Sequence, residues 1–206
     1  MGRRLMRVAV AGCFLAVALA ACSPDEAAAP PGATLGTAPP VTPTTDPYAV
    51  PPVIDAAYVN RVLEGLDAAN GDVLRMVVRT KTIEPEAVDR LKALYSDKDL
   101  MQLQIDILQS DLRRGLSGIR PDPGNQRTTV KELITSKPSC LYAKVDRDSS
   151  QVATNPNPDL RTIWISLVPR NPAKDASRYN PTPWAFRYEG FQRDLSPPPI
   201  DPCAGI

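Results

Sequence analysis

The sequence predicts an α+β fold, with three to four helices preceding an antiparallel sheet of about four strands. Two patterns carry this. Between Val53 and Gly115 apolar residues recur every three or four positions, as on a helix with one buried stripe. After Gly118 the repeat shortens to two, as on a strand that buries one face. A third observation fixes the end of the fold: Cys140 and Cys203 are left as an even pair once the two earlier cysteines are accounted for. Helices first and strands afterwards segregate the helices to one side of the sheet.

Residues 1–21 have the parts of a secretory signal. Arg3, Arg4 and Arg7 form a cationic start, and the 14 residues 8–21 are uncharged. That run is shorter than the ~20 residues a membrane-spanning helix needs. Leu19-Ala20-Ala21-Cys22 resembles the bacterial lipobox. The resemblance implies a diacylglyceryl group on the Cys22 thiol and cleavage just before it. It also implies a body held at the cell membrane on its extracytoplasmic side. Two acyl chains anchor stably where one is marginal.

Processing leaves 185 residues and reverses the sign of the charge, from 24 Lys+Arg against 23 Asp+Glu to 21 against 23. Such a surface offers no electrostatic footprint for nucleic acid. Cys13 leaves with the signal and Cys22 is the anchor, so Cys140 and Cys203 face an oxidising compartment, where a disulfide is expected. A bridge closing a loop of about 60 residues is worth roughly 4 kcal/mol in the chain-entropy account. Histidine is absent. That excludes Ser-His-Asp and Cys-His nucleophile systems and any imidazole acid or base. No metal site and no cofactor are expected.

Residues 23–52 contain nine prolines, with alanine and threonine filling most of the rest. A segment with so little apolar bulk cannot offset its ordering entropy and reads as an extended linker. The folded domain is therefore expected over 53–206.

Asp55 is a candidate N-cap for a helix starting near Ala56, with Val59, Val62, Leu63 and Leu66 at helical spacing. Asn70-Gly71 reads as a break or kink, and Asp72 as a restart with Val73, Leu74, Val77 and Val78 on one stripe. Glu84-Pro85-Glu86 reads as a helix entry, with proline at the first turn and acids near the positive dipole end. Val88, Leu91 and Leu94 or Tyr95 form its stripe. Ser96 reads as the next cap, with Asp99 three residues on. Leu100, Met101, Leu103, Ile105, Ile107, Leu108 and Leu112 then give a broad apolar face, and Gly115 suits a C-terminal cap.

Residues 127–135 read as a first strand. In 139–147, Leu141, Ala143 and Val145 share one face against Cys140, Tyr142 and Lys144. Residues 148–158 read as a polar loop. In 160–168, Ile163, Ile165 and Leu167 oppose Trp164. A loop with three prolines covers 171–183. In the last strand Trp184, Phe186 and Tyr188 alternate with Ala185, Arg187 and Glu189, which predicts a buried aromatic face and a wet charged one. The proline-rich tail 197–202 cannot continue a central strand. Cys203 would pin it to Cys140, on the sheet face away from the aliphatic cluster.

This order of elements resembles the nuclear transport factor 2-like superfamily, which includes polyketide-cyclase and ketosteroid-isomerase-like proteins. The likeness runs from about Ile54 to Cys203. It rests on Glu84-Pro85-Glu86-Ala87-Val88 leading to Leu94-Tyr95-Ser96, then a helix, then the meander ending in Trp184 and Phe186. It implies helices packed into the mouth of a strongly curved, cone-like sheet. The chain is also similar to small envelope lipoproteins with such a domain. Enzymes of the superfamily place an acid or tyrosine inside the cone. Tyr58, Tyr95, Tyr142 and Asp67 are the matching residue types, but none lies in a motif that carries a catalytic role across.

Tyr58, Tyr95, Trp164, Trp184 and Phe186 are the candidate pocket residues. The function expected is a non-catalytic, membrane-tethered binding or interaction module. Its partner is a hydrophobic small molecule or an envelope protein. The alternatives are a small cyclase-, isomerase- or dehydratase-like enzyme and a structural envelope protein.

Overall fold

In a computed structural model the described residues are 46–157, 161–170, 178–190 and 201–206. The signal, Cys22 and the linker up to residue 45 lie outside them, as do parts of the 171–183 loop and of the tail. Pro43–Ile206 forms one compact unit. The described residues contain three helices, α1 (Ala56–Thr80), α2 (Pro85–Leu94) and α3 (Lys98–Arg113). Four strands follow: β1 (Arg127–Lys137), β2 (Cys140–Asp148), β3 (Thr162–Pro169) and β4 (Trp184–Gly190). They form an antiparallel sheet in the order β1-β2-β3-β4. The α+β reading therefore holds, with helices before strands.

The core lies between the helices and one face of the sheet. Tyr58, Val59, Val62, Leu63, Leu66, Val73 and Val77 of α1 meet Leu141, Ala143 and Val145 of β2 and Ile163, Ile165 and Leu167 of β3 in one cluster. Cys140, Tyr142, Trp164 and Cys203 form a second cluster on the opposite face. Cys140 and Cys203 are bonded, with Cα atoms 5.7 Å apart. Tyr48, upstream of the expected domain start, packs against the main core, and its carbonyl accepts the Tyr58 hydroxyl at 3.0 Å.

Three local readings change. α1 runs unbroken through Asn70-Gly71. A glycine inside a helix costs about 1 kcal/mol against alanine, but the turns on either side bury Leu66, Ala69, Val73 and Val77. A Cβ on Gly71 would also overlap the Asn125 side chain, which Arg75 holds from the same helix. Close approach of the loop before β1 requires the glycine there. Next, Asp97 rather than Ser96 caps α3, accepting the Leu100 N–H at 2.8 Å. Ser96 is occupied elsewhere, for its N–H and hydroxyl both donate to the Phe186 carbonyl of β4.

The third change is in β4. Phe186 pairs with Leu167 but Tyr188 pairs with Ser166, so Arg187 is an extra residue in the strand. A bulge of this kind shifts the side-chain phase by one. Trp184 and Phe186 belong to the helix-side core, whereas Tyr188 packs with Tyr142 and Trp164 on the far side. Glu189, expected on the wet face, is turned to the helix side.

The free edge of β1 is covered by side chains of α1. Thr128 N–H donates to Asp67 Oδ2 at 2.6 Å, and Val130 N–H donates to Asn60 Oδ1 at 2.8 Å. Asn60 and Asp67 are two helical turns apart and so share a face. They satisfy alternate edge groups that would otherwise invite another strand.

Candidate functional site

An open cleft of about 330 Å³ lies between α3 and the sheet. Its apolar wall is Leu100, Leu103 and Ile107 of α3, with Tyr95 before that helix and Ile163 of β3. The sequence pattern promised a broad buried face on α3, yet Ile105 is its one buried residue. Leu103 is 51% exposed and Ile107 45%. Burying such a side chain is worth about 1.5–3 kcal/mol, so this helix faces the cleft with much of its apolar surface uncovered.

The opposite wall is ionic. Arg147 continues the inward parity of Leu141, Ala143 and Val145 along β2. Its Nη2 donates to Glu189 Oε1 at 2.7 Å, and the two side chains are only 17% and 12% exposed. Gln104 Nε2 of α3 donates to Glu189 Oε2 at 3.3 Å. Burial alone would lower the Arg147 pKa, but the Glu189 charge and hydrogen bond, with Asp67 adding to them, outweigh it and raise it. Desolvation pushes Tyr95 well above the usual tyrosine value, with Glu189 adding to the effect. Desolvation also raises the Asp67 carboxyl to about 6, against the opposing pull of Arg147 and of the Thr128 hydrogen bonds.

The structure does not bring the five sequence candidates together. Tyr95 lines the cleft and stacks on Phe186, with ring centroids 5.5 Å apart. Phe186 itself is buried core. Tyr58 and Trp184 are also core, and the Trp184 indole N–H donates to the Tyr58 hydroxyl at 2.8 Å. Trp164 sits on the far face of the sheet beside the disulfide, with Lys144 Nζ 5.4 Å from its ring centre. Asp67 is buried on the edge of β1, both oxygens engaged by Thr128. Arg147 and Glu189 were not singled out from the sequence. The parity of β2 could have found the first, whereas the bulge concealed the second.

Two larger clefts are more polar. One of about 490 Å³ is lined by Asn60, Arg61, Glu64, Asp67 and Gln126 among others. Another of about 460 Å³ holds Arg75 and Arg90. Both arginines are already tied to Asp72, and Arg90 also to Glu86. Neither cleft joins uncovered apolar side chains to a buried charge pair as the α3 cleft does. Among the described residues no group of three or more Cys, Asp or Glu gathers to hold a metal ion. No protein-family model, curated protein or solved structure matches the chain.

Proposed function

We propose that the chain is a bacterial lipoprotein, held on the extracytoplasmic side of the cell membrane by acylated Cys22. Its folded domain is a non-catalytic module that takes a small amphiphile into the α3 cleft. On this reading the sheet is curved, with the helices in its mouth, in the manner of the nuclear transport factor 2-like superfamily. The observation that carries the binding role is the α3 wall: Leu103 and Ile107 stand uncovered opposite the buried Arg147–Glu189 pair. An apolar wall with a few convergent polar groups is what a small-molecule site presents.

Every described core residue lies within the compact unit Pro43–Ile206, so this unit suffices for the test. Titration with the uncharged fluorophore N-phenylnaphthylamine should give saturable, single-site enhancement that Leu103→Asp abolishes. Enhancement that fails to saturate, or that survives Leu103→Asp, contradicts the reading. Because Leu103 is half exposed, the variant should stay within about 0.5 kcal/mol of the parent in stability.

A second reading makes the domain a small enzyme with Asp67 as general acid–base. Its carboxyl titrating at about 6 on the wall of the polar cleft favours this. Against it, both Asp67 oxygens already accept from Thr128. The binding reading predicts that Asp67→Asn retains probe binding.

A further inference from the structure

The ionic wall of the α3 cleft compensates itself. Among the described residues lining it, Arg147 is the one cation and Glu189 the one anion, and they are bonded to each other. The remaining polar lining residues are uncharged: Asn70, Gln104 and Gln126 with carboxamides, and Tyr95 and Ser149 with hydroxyls. A cleft that captures a carboxylate needs a cation free to meet it, since bidentate pairing uses the whole guanidinium fork. Here Glu189 Oε1 already takes Nη2 of that fork at 2.7 Å and offsets its charge. An arriving anion would meet the Glu189 charge, with Asp67 near enough to act on the same guanidinium. An arriving cation would meet Arg147.

One buried donor of the guanidinium, Arg147 Nε, has no hydrogen-bond partner among the described residues. A hydroxyl, ester or amide oxygen can take that hydrogen without bringing charge.

The position of Glu189 follows from the bulge. With strict alternation it would lie on the far face of the sheet, and the extra residue Arg187 brings it beside Arg147 instead. Resting on the binding role given above, we propose that Glu189 sets the head-group specificity of the cleft. By neutralising Arg147 it selects an uncharged, hydrogen-bonding amphiphile over a carboxylate-bearing one.

Calorimetric titration of Pro43–Ile206 with decanol, decanoate and decylammonium tests this, because the three probes share a chain and differ in head. Decanol should bind the parent at least about tenfold more tightly than either charged probe. In Glu189→Gln, decanoate should gain at least about tenfold while decanol changes little. The double variant Arg147→Gln/Glu189→Gln removes the pair without stranding a charge. It should lose the decanoate gain, and decanol should weaken by no more than the one hydrogen bond from Arg147 Nε, up to about tenfold. If Glu189→Gln does not fold, the parent and the double variant decide.

Decanoate binding the parent as tightly as decanol overturns the specificity, as does a folded Glu189→Gln that leaves decanoate unchanged. If Leu103→Asp abolishes both probes in that case, the cleft is still the binding site and only the specificity falls. Failure of every probe to bind the parent overturns the binding role itself.

Discussion

Replacing Asp67 with asparagine isolates a single ionisation inside the fold. The carboxylate accepts the Thr128 N–H at 2.6 Å and the Thr128 hydroxyl at 3.0 Å, and the residue is 4% exposed. Asparagine can repeat both contacts, its Oδ1 accepting the N–H and its Nδ2 donating to the hydroxyl oxygen. It cannot repeat the charge. Burial raises the Asp67 carboxyl from 3.8 to about 6 in the folded chain. Between those values the folded state holds a proton that the unfolded state has released, so stability falls as pH rises.

At about 1.4 kcal/mol per unit the shift is worth about 3 kcal/mol at its limit, most of which is lost between pH 4 and pH 7. Urea unfolding of parent and Asp67→Asn, followed by circular dichroism at a series of pH values, measures this. Contributions from other groups largely cancel in the difference between the two proteins. The stability of the parent relative to the variant should fall by about 2 kcal/mol from pH 4 to pH 7 and then level. A flat difference, or one that grows with pH, refutes the reasoning.

Three further outcomes are expected. Asn180 is fully buried and uses all of its hydrogen-bonding capacity: its amide donates to the Ala93 and Trp184 carbonyls, and its oxygen accepts from the Thr182 N–H and hydroxyl. Asn180→Ala should therefore cost about 2–4 kcal/mol in urea unfolding, and a loss below 1 kcal/mol would show that the network relaxes around the gap. Cys140→Ser should cost about 2–5 kcal/mol under non-reducing conditions, and a reductant should abolish the difference from the parent. Intact mass of the protein extracted from membranes should begin at acylated Cys22, whereas an unmodified thiol with release into the medium would remove the anchor.

Element type and the facing of the central strands were legible because burial repeats regularly there. The alternation of Leu141, Ala143 and Val145 against Cys140 and Tyr142 placed the disulfide on the correct side of the sheet. Asp55 was readable as a cap because the interaction is local, spanning three residues to the Tyr58 N–H. Features set by distant neighbours were not. Gly71 resembles a break until the Asn125 side chain fills the space beside it. Ser96 resembles a cap until β4 takes its donors.

The site was the least legible part. Aromatic residues were the natural pocket candidates, yet Trp184 and Tyr58 satisfy each other in the core, and only Tyr95 of the five reaches the cleft. The residues that give the cleft its chemistry are a strand-end arginine and a glutamate displaced by one bulged residue. A shift of one position along a strand exchanges its faces, and nothing in the alternation of β4 announces where that shift falls.

The most direct measurement is an amide NMR titration of Pro43–Ile206 with decanol, reading which backbone positions respond. Saturable shifts gathered at Tyr95, Leu103, Ile107 and Ile163 are the predicted result. Shifts gathered instead around Trp164 on the opposite face of the sheet, or none at saturating probe, would contradict the assignment of the α3 cleft as the binding site.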